Sequence, residues 1–181
     1  DFEFRERYYK LIHGAYVRNY YKRLYDWCEG HGCAFTGHSV EESMLFTQMW
    51  GGAGVTETYE FETIPAIDDL ADNFSARLSA KQLGSAREQL GKRQALTETF
   101  GCSGYDVPPR RLRAIGDGQF VRGVTMMCHH LYSYSLAEQG KYDHPPCFSE
   151  HMPWRDDFAD FNDYFTHLGY LLSNSDEQVN A

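Results

Sequence analysis

Apolar side chains recur every three to four residues in several stretches of the chain, which is the spacing of one face of an α-helix. This pattern predicts helices over residues 6–29, 40–50, 72–90, 108–123 and 158–172. Gly30, Gly91 and Gly123 stand at the ends of three of these stretches, where glycine commonly ends a helix. The predicted helical segments therefore account for nearly half of the chain.

Short apolar or β-branched runs separate the helices and predict strands at 33–36, 55–64, 94–97 and 124–128. Pro65 is expected to end the second strand. Except for 55–64, the runs do not alternate between apolar and polar residues, which is typical of parallel strands buried on both faces. The alternation of strands and helices predicts an α/β fold, either half of a (β/α)8 barrel or a small doubly wound sheet.

The positions of the polar side chains favour the barrel. They lie in or directly after the predicted strands: His38, Glu57, Glu60, Glu62, Glu98, His129 and His130. Barrel enzymes carry their catalytic groups at the carboxyl ends of their strands. We therefore expect these side chains to gather at one end of the sheet.

Glu98 is the first candidate for a catalytic residue, because it ends the third predicted strand and is followed by Phe100 and Gly101. Hydrolysis of a glycosidic bond needs two carboxyl groups, one that protonates the leaving oxygen and one that attacks the sugar or activates water. Glu98 could be one of these two groups. The alternative is a glutamate that forms an ordinary surface ion pair at a strand end.

His38 and Glu42 form a second candidate group. Gly37 lets the chain turn away from the first strand, so His38 would point into the mouth of the barrel, with Glu42 one helical turn later. His38 could then bind a sugar hydroxyl or orient a carboxylate. The alternative for Glu42 is a capping box with Ser39 at a helix start.

A third group follows the fourth strand, where His129 and His130 precede Tyr132 and Tyr134. Two histidines and two tyrosines fit a rim that contacts sugar. The alternative places one histidine in the core and the other in solvent. Further aromatic residues could stack on sugar rings or belong equally well to the core: Trp50, Tyr105 and Trp154.

Composition and charge limit the classes of molecule that the protein is expected to bind. The formal net charge of −9 argues against nucleic acid or an anionic membrane as a partner, because both bind a basic surface. No run of about 18 apolar residues predicts a transmembrane helix. The aromatic content of 15% suits a carbohydrate site but is equally compatible with a packed core.

Cysteine and acidic clusters offer weaker candidates for metal sites. Five cysteines at irregular spacing argue against a disulfide framework and favour a reducing compartment. A zinc-binding module remains an alternative through a set of neighbouring ligands: Cys28, His31, Cys33 and His38. A second acidic cluster is interpreted as a helix start rather than a cation site: Asp68, Asp69 and Asp72.

Several short motifs occur together and in a fixed order. They are TGH at 36–38, EES at 41–43, IPAID at 64–68, TETFGCSGY at 97–105, QFVRGV at 119–124, HHLYSYS at 129–135, PP at 145–146 and PW at 153–154. In this order they resemble the C-terminal part of the catalytic barrel of large bacterial glycoside hydrolases. The group concerned is the family 106 α-L-rhamnosidase-like enzymes and their family 2-like relatives.

The resemblance implies a TIM barrel of which residues 1–172 form strands five to eight with their helices, followed by a tail or linker at 173–181. Glu98 would end strand seven, the place of the nucleophile or general base. The general acid would lie upstream, so the chain alone is expected to be inactive. The resemblance also implies an oligo- or polysaccharide substrate, accessory β domains and a Ca²⁺ ion near the sugar.

By the same resemblance, the sugar pocket would be lined by residues already singled out: His38, Glu42, Tyr105, His129, His130 and Tyr132. A second functional class, a carbohydrate-binding remnant without catalysis, stays open. The chain begins at Asp1 without a start methionine or signal peptide, which we interpret as a fragment. A cytoplasmic and a periplasmic location therefore both remain open.

Overall fold

Four parallel strands, each followed by a helix after a connecting segment, form the frame of the protein. The computed structural model describes residues 1–52, 54–71 and 77–178. Its strands are β1 (Thr36–Gly37), β2 (Ile64–Asp69), β3 (Leu96–Thr99) and β4 (Met126–His129). Its helices are α1 (Phe2–Tyr16), α2 (Lys22–Gly30), α3 (Leu45–Gly52), α4 (Arg77–Gln89), α5 (Pro109–Phe120) and α6 (Phe158–Ser173).

The sheet has the strand order β1-β2-β3-β4, and all its strands are parallel. Each strand therefore lies beside the next one in sequence, without the reversal that marks a doubly wound sheet. This order is that of half a barrel, and the mixed α/β prediction with a parallel sheet is confirmed. In the described residues the sheet is open, because β1 and β4 are each paired on one side only.

The core lies between the sheet and the helices that follow it. Side chains of β2 and β3 alternate, so that Ile67, Thr97 and Thr99 are buried while Asp68 and Glu98 are partly exposed on the other face. One buried cluster joins residues of the sheet, α4, α5 and α6: Ile67, Leu83, Phe120, Val124 and Phe165. The helices thus cover one face and leave polar groups on the other.

A π-helical turn at Val17–Tyr21 connects α1 to α2 in one continuous helical segment. This turn carries the buried residues of the segment, Val17 and Tyr21, whereas α1 and α2 contain none. The Tyr21 hydroxyl lies 3.2 Å from Ser39 Oγ, just beyond β1. The wider turn therefore attaches the long helix to the loop at the end of the first strand. None of the helices in the described ranges has the length and apolarity needed to cross a membrane.

The predicted helices are found with shifted ends, and residues 72–76 of the third lie outside the described ranges. The prediction of a strand over 55–64 is wrong, because this segment forms turns and a short 3-10 helix at Tyr59–Phe61. Pro65 does not end a strand but is the second residue of β2. Proline is tolerated there because the strand has only just begun, and a lost N–H costs little.

Two acidic residues also differ from their interpretation. Asp68 and Asp69 were expected to start a helix, but they are the last two residues of β2. The strand begins nine residues later than predicted, so its carboxyl end falls on the acidic pair. Asp72 lies outside the described residues. This shift places a carboxylate at the edge of the sheet where the candidate site lies.

Residues after α6 return to the body of the fold. The Ser175 carbonyl accepts a hydrogen bond of 3.0 Å from Arg87 Nη2, and Lys81 Nζ lies 2.6 Å from Glu177 Oε1. Both basic residues belong to α4. The segment expected to be a tail thus contacts this helix at Ser175 and Glu177.

We expect Gly84→Ala to destabilise the protein by about 2 kcal/mol, because the new methyl group overfills a close helix–backbone contact. A Cβ at Gly84 would lie 2.1 Å from the Arg122 carbonyl oxygen and 2.9 Å from the Gly123 Cα. Gly30→Ala is the control, since nothing lies within 4 Å of its Cβ position. Thermal unfolding of both variants is the measurement. An unchanged melting temperature for Gly84→Ala would contradict the close approach.

Candidate active site

Glu98 lies near the end of β3 between two imidazole rings. Its Oε2 is 2.8 Å from His38 Nε2, and its Oε1 is 3.7 Å from His130 Nε2. The side chains of Glu98 and His38 are 25% and 32% exposed, so the pair is open to small molecules but partly shielded from water. This carboxylate differs from that of an ordinary surface ion pair, because both side chains of the pair are partly buried.

The bond between His38 and Glu98 contains a single proton. His38 Nδ1 donates to the Ser39 carbonyl at 3.0 Å, which leaves Nε2 to face the carboxylate. Two acceptors cannot bond each other, so either the imidazole or the carboxyl group must carry a proton there. Burial lowers the pKa of His38, but the Ser39 carbonyl and the nearby carboxylates outweigh it and raise this pKa above its ordinary value. These interactions therefore favour the protonated form of His38 in this bond.

Asp68 is a second carboxylate in the cluster, and the interpretation as a helix start had missed it. Parallel pairing sets Asp68 directly beside Glu98. One ligand atom each of His38, Asp68 and Glu98 lies within 4.8 Å of the other two. Burial raises the pKa of Asp68, His38 opposes this effect, and the negative charge of Glu98 adds to it. The site thus contains two neighbouring carboxylates and a shared histidine.

His130 and His144 form the opposite wall. Their ring centroids are 5.1 Å apart, and His144 is hydrogen-bonded to Asp143. A Cβ at Gly101 would lie 2.9 Å from His130 Cγ, so the glycine lets the ring come close to the chain after β3. His144 lies in the long loop after β4, where no periodic signal in the sequence had pointed to it. Its neighbour Pro145-Pro146 belonged to the motif set.

Glu42 lies behind the cluster rather than inside it. It is 2% exposed, and its carboxylate accepts backbone hydrogen bonds from Ser39 N at 2.9 Å and from Asp68 N at 2.8 Å. The contact with Ser39 is the one expected of a capping box, although residues 40–44 form turns and α3 begins at Leu45. Burial raises the pKa of Glu42 to about 7, while the two N–H donors act in the opposite direction.

The two consecutive histidines point to different sides of β4. His129 packs among aromatic rings of the core: Phe100, Phe148, Phe158 and Phe161. Burial lowers its pKa to about 4, so it is a neutral core residue at physiological pH. His130 faces Glu98. One histidine therefore lies in the core, as the alternative interpretation had it, while the other borders the candidate site.

The other aromatic candidates are dispersed. Tyr105 and Tyr132 are each 54% exposed, and the Tyr105 hydroxyl donates to the Lys141 carbonyl. Trp50 is 74% exposed on α3. Trp154 packs against Phe158 and against a buried cluster formed by Phe100, Leu112, Ile115 and Phe148. Tyr105 and Tyr132 thus remain available for ligand contacts, and Trp154 serves the core.

The zinc alternative is not supported by the ligand positions. His31 stacks on Trp27 and its Nδ1 bonds the Trp27 carbonyl, whereas His38 joins Asp68 and Glu98. Among the described residues, the latter three are the group of histidine, cysteine and acidic side chains whose ligand atoms are close enough for a metal. The expected set with Cys28 and Cys33 is therefore not assembled.

Calcium is a poor match for the cluster as these residues present it. Ca²⁺ takes six to eight oxygen ligands. The cluster offers two carboxylates and one ring nitrogen, and that nitrogen already bonds Glu98. The described residues therefore do not form a calcium cage on their own, and the ion takes no part in the chemistry derived below.

Comparison with known proteins informs the fold. No protein-family model matches the chain, and no curated protein sequence does. The structure is similar to that of a rhamnosidase from Novosphingobium sp. PP1Y, with a TM-score of 0.72 at 16% sequence identity. The match covers 88% of this chain but only 16% of the rhamnosidase. The chain thus has a rhamnosidase-like fold and corresponds to a small part of that enzyme's length.

We expect His129→Phe to reduce the loss of stability on acidification. An unfolded histidine takes up a proton near pH 6.5, but folded His129 does so near pH 4, so its contribution is lost as the pH falls through that interval. This loss lowers the free energy of unfolding by up to about 3 kcal/mol. Phenylalanine keeps an aromatic ring in the cluster and does not titrate. The measurement is the free energy of unfolding of the wild type and of His129→Phe at a series of pH values from about pH 7 to about pH 4, the range that contains the ordinary pKa of histidine.

The contribution of His129 is obtained by subtracting the pH dependence of the unfolding free energy of His129→Phe from that of the wild type. The subtraction is needed because the buried carboxyl groups of Glu42, Glu62 and Asp69 have raised pKa values and change the stability with pH in the opposite direction. Those carboxyl groups favour the folded state at low pH and oppose it as the pH rises. His167→Gln, on the exposed side of α6, is the control. Parallel curves for the wild type and His129→Phe would contradict the buried, neutral histidine.

Proposed function

We propose that this chain supplies one side of the active site of a glycosidase, with Glu98 as nucleophile or general base. The observation that carries the proposal is the cluster of Glu98, His38 and Asp68 at the carboxyl end of a parallel sheet. This is the end at which barrel enzymes bind their substrates. The rhamnosidase-like fold supports an α-L-rhamnosidase-like activity on an oligo- or polysaccharide.

The chemistry follows from the shared proton. A nucleophile or base must be ionised when substrate binds, and a protonated His38 stabilises the ionised form of Glu98 through the 2.8 Å bond. If Glu98 activates water, the proton it gains is stabilised on the same Glu98–His38 pair. If Glu98 attacks the sugar instead, the histidine orients the free oxygen of the glycosyl ester. Both routes need a general acid to protonate the leaving oxygen.

Asp68 is not suited to be that acid in an inverting reaction. Inverting pairs are separated by roughly 6.5–9.5 Å to leave room for water. The ligand atoms of Asp68 and Glu98 lie within 4.8 Å of one another, side by side on neighbouring strands. We assign Asp68 to the binding of sugar hydroxyls next to Glu98. The acid is then expected from four further β/α units that complete the barrel.

The remaining sugar contacts belong to residues around this pair. His38 and His130 have ring nitrogens beside Glu98, and Tyr105 and Tyr132 offer exposed rings on the loops after β3 and β4. Glu42 and His129 were candidates for the same pocket, but Glu42 lies behind the cluster and His129 packs among core aromatic rings, so we assign neither to direct contact with the sugar. A carbohydrate-binding role without catalysis is the second candidate, because the chain spans only 16% of the similar rhamnosidase.

We expect Glu98→Gln in the full-length protein to lower kcat by at least about a thousandfold, since general base or nucleophilic catalysis is lost. Binding of sugar should persist, because the amide keeps the size of the side chain. Hydrolysis of 4-nitrophenyl α-L-rhamnoside and calorimetric titration of rhamnose measure the two effects. Glu6→Gln, on exposed α1, is the control. Turnover of Glu98→Gln within a few-fold of the wild type would contradict the assignment.

Asp68→Asn tests the division of roles between the two carboxylates. If Asp68 binds sugar hydroxyls, KM should rise by about tenfold or more, corresponding to roughly 1.4 kcal/mol for one lost hydrogen bond to a charged group. The value of kcat should fall far less than in Glu98→Gln. A fall in kcat as large as that of Glu98→Gln, with KM unchanged, would make Asp68 a direct participant in the reaction.

A further inference from the structure

We infer that Glu42 is a positioning residue, which holds His38 and Asp68 at the correct spacing on either side of Glu98. The inference rests on the proposed function and adds a residue that acts from behind the site. Its carboxylate accepts one hydrogen bond from Ser39 N and one from Asp68 N, at 2.9 and 2.8 Å. These two donors belong to separate segments, one after β1 and one in β2.

The first reason is that the regular pairing of β1 with β2 stops short of the site. Only two residue pairs connect the strands, Thr36 with Ile64 and Gly37 with Pro65. Beyond Gly37 the chain leaves the sheet, so ladder hydrogen bonds no longer fix its distance from β2. Glu42 bridges the two segments at this point. Its side chain therefore takes over the connection that backbone pairing provides elsewhere in the sheet.

The second reason is that both bridged peptides lie next to the reacting groups. The Ser39 N–H bonds Glu42, and the Ser39 carbonyl accepts from His38 Nδ1. Glu42 thus orients the backbone of Ser39, and the Ser39 carbonyl in turn orients the imidazole ring of His38, whose Nε2 bonds Glu98. On the other side, the bound N–H is that of Asp68 itself. A displacement of Glu42 would therefore change both distances around Glu98.

The third reason is that Glu42 is itself held in place by rigid elements. Gln48, which is 3% exposed on α3, donates to the Glu42 carbonyl at 2.6 Å. Tyr21 from the π-helical turn lies 3.2 Å from Ser39 Oγ. A buried carboxylate without hydrogen bonds is costly. Glu42 is 2% exposed, and each of its two carboxylate oxygens accepts one N–H donor, so the fold stabilises the carboxylate in this position.

Glu62 provides a matched control in the same part of the structure. It is fully buried, and its Oε2 accepts one backbone hydrogen bond of 3.1 Å from Ala66 N, at the start of β2. That bond lies within one segment and connects no residue of the candidate cluster. Substitution of either glutamate by glutamine disturbs a buried carboxyl group. Only the substitution of Glu42 should disturb the spacing of His38 and Asp68.

The experiment compares Glu42→Gln with Glu62→Gln in the full-length protein. In Glu42→Gln the amide nitrogen must face one of the two N–H donors, so one bridge is broken. A misplaced catalytic group can cost on the order of a hundredfold in rate. We expect kcat for 4-nitrophenyl α-L-rhamnoside to fall by about that factor with KM changed by less than about threefold. For Glu62→Gln we expect a kcat within about threefold of the wild type. Its melting temperature is expected to be similar to that of Glu42→Gln, since each variant changes one buried carboxyl group.

A kcat for Glu42→Gln equal to that of Glu62→Gln would overturn the inference, and so would a change confined to KM. Glu42→Asp, which keeps the charge but reaches only one donor, replaces Glu42→Gln if that variant does not fold, and the same loss of kcat is expected of it. The Glu98→Gln variant distinguishes a failure of the proposed function from a failure of the positioning role of Glu42. If Glu98→Gln remains active, the proposed function fails, whereas an inactive Glu98→Gln with an active Glu42→Gln overturns only the positioning role.

Discussion

The parallel pairing of β2 with β3 is the constraint on which the candidate site depends. It sets Asp68 beside Glu98, and the alternation of side chains along both strands turns the two carboxylates away from the helices. A shift of one residue in β3 would bury Glu98 among the apolar side chains and expose a threonine instead, and a shift of one residue in β2 would bury Asp68. The packing of Ile67 and Thr97 under the helices therefore fixes the chemistry on the opposite face.

Two polar systems meet at this pair of strands, and they have different tasks. In front, His38 and His130 flank Glu98, with ring nitrogens 2.8 and 3.7 Å from its carboxylate oxygens. Behind, Glu42, Ser39 and the π-helical turn hold the loop after β1. Glu42 needs both donors to remain buried, and His38 needs the Ser39 carbonyl to keep its ring in one orientation. The front of the site is thus ordered by hydrogen bonds that a bound sugar would not touch.

The sequence predicted the helices well because their apolar faces repeat over many residues. It also placed Glu98 and His38 at strand ends, and the structure joins them. The strands were harder, since β1 has two residues and β2 begins with an isoleucine–proline pair that reads as a strand end. Asp68 was missed for this reason. His144 reaches the site through a long loop, and its contact with His130 depends on tertiary structure that no local pattern encodes.

The open sheet has a consequence for how these residues behave in solution. Among the residues that the structure describes, β4 is paired on one side only, and it carries the exposed side chains of Met126 and Cys128. Such an edge is a template for another strand. Without further strands to cover it, the segment would tend to associate edge to edge or to aggregate, and its free thiol would add oxidative cross-links. Its solubility is therefore a sensitive indicator of whether the sheet has found its partner strands.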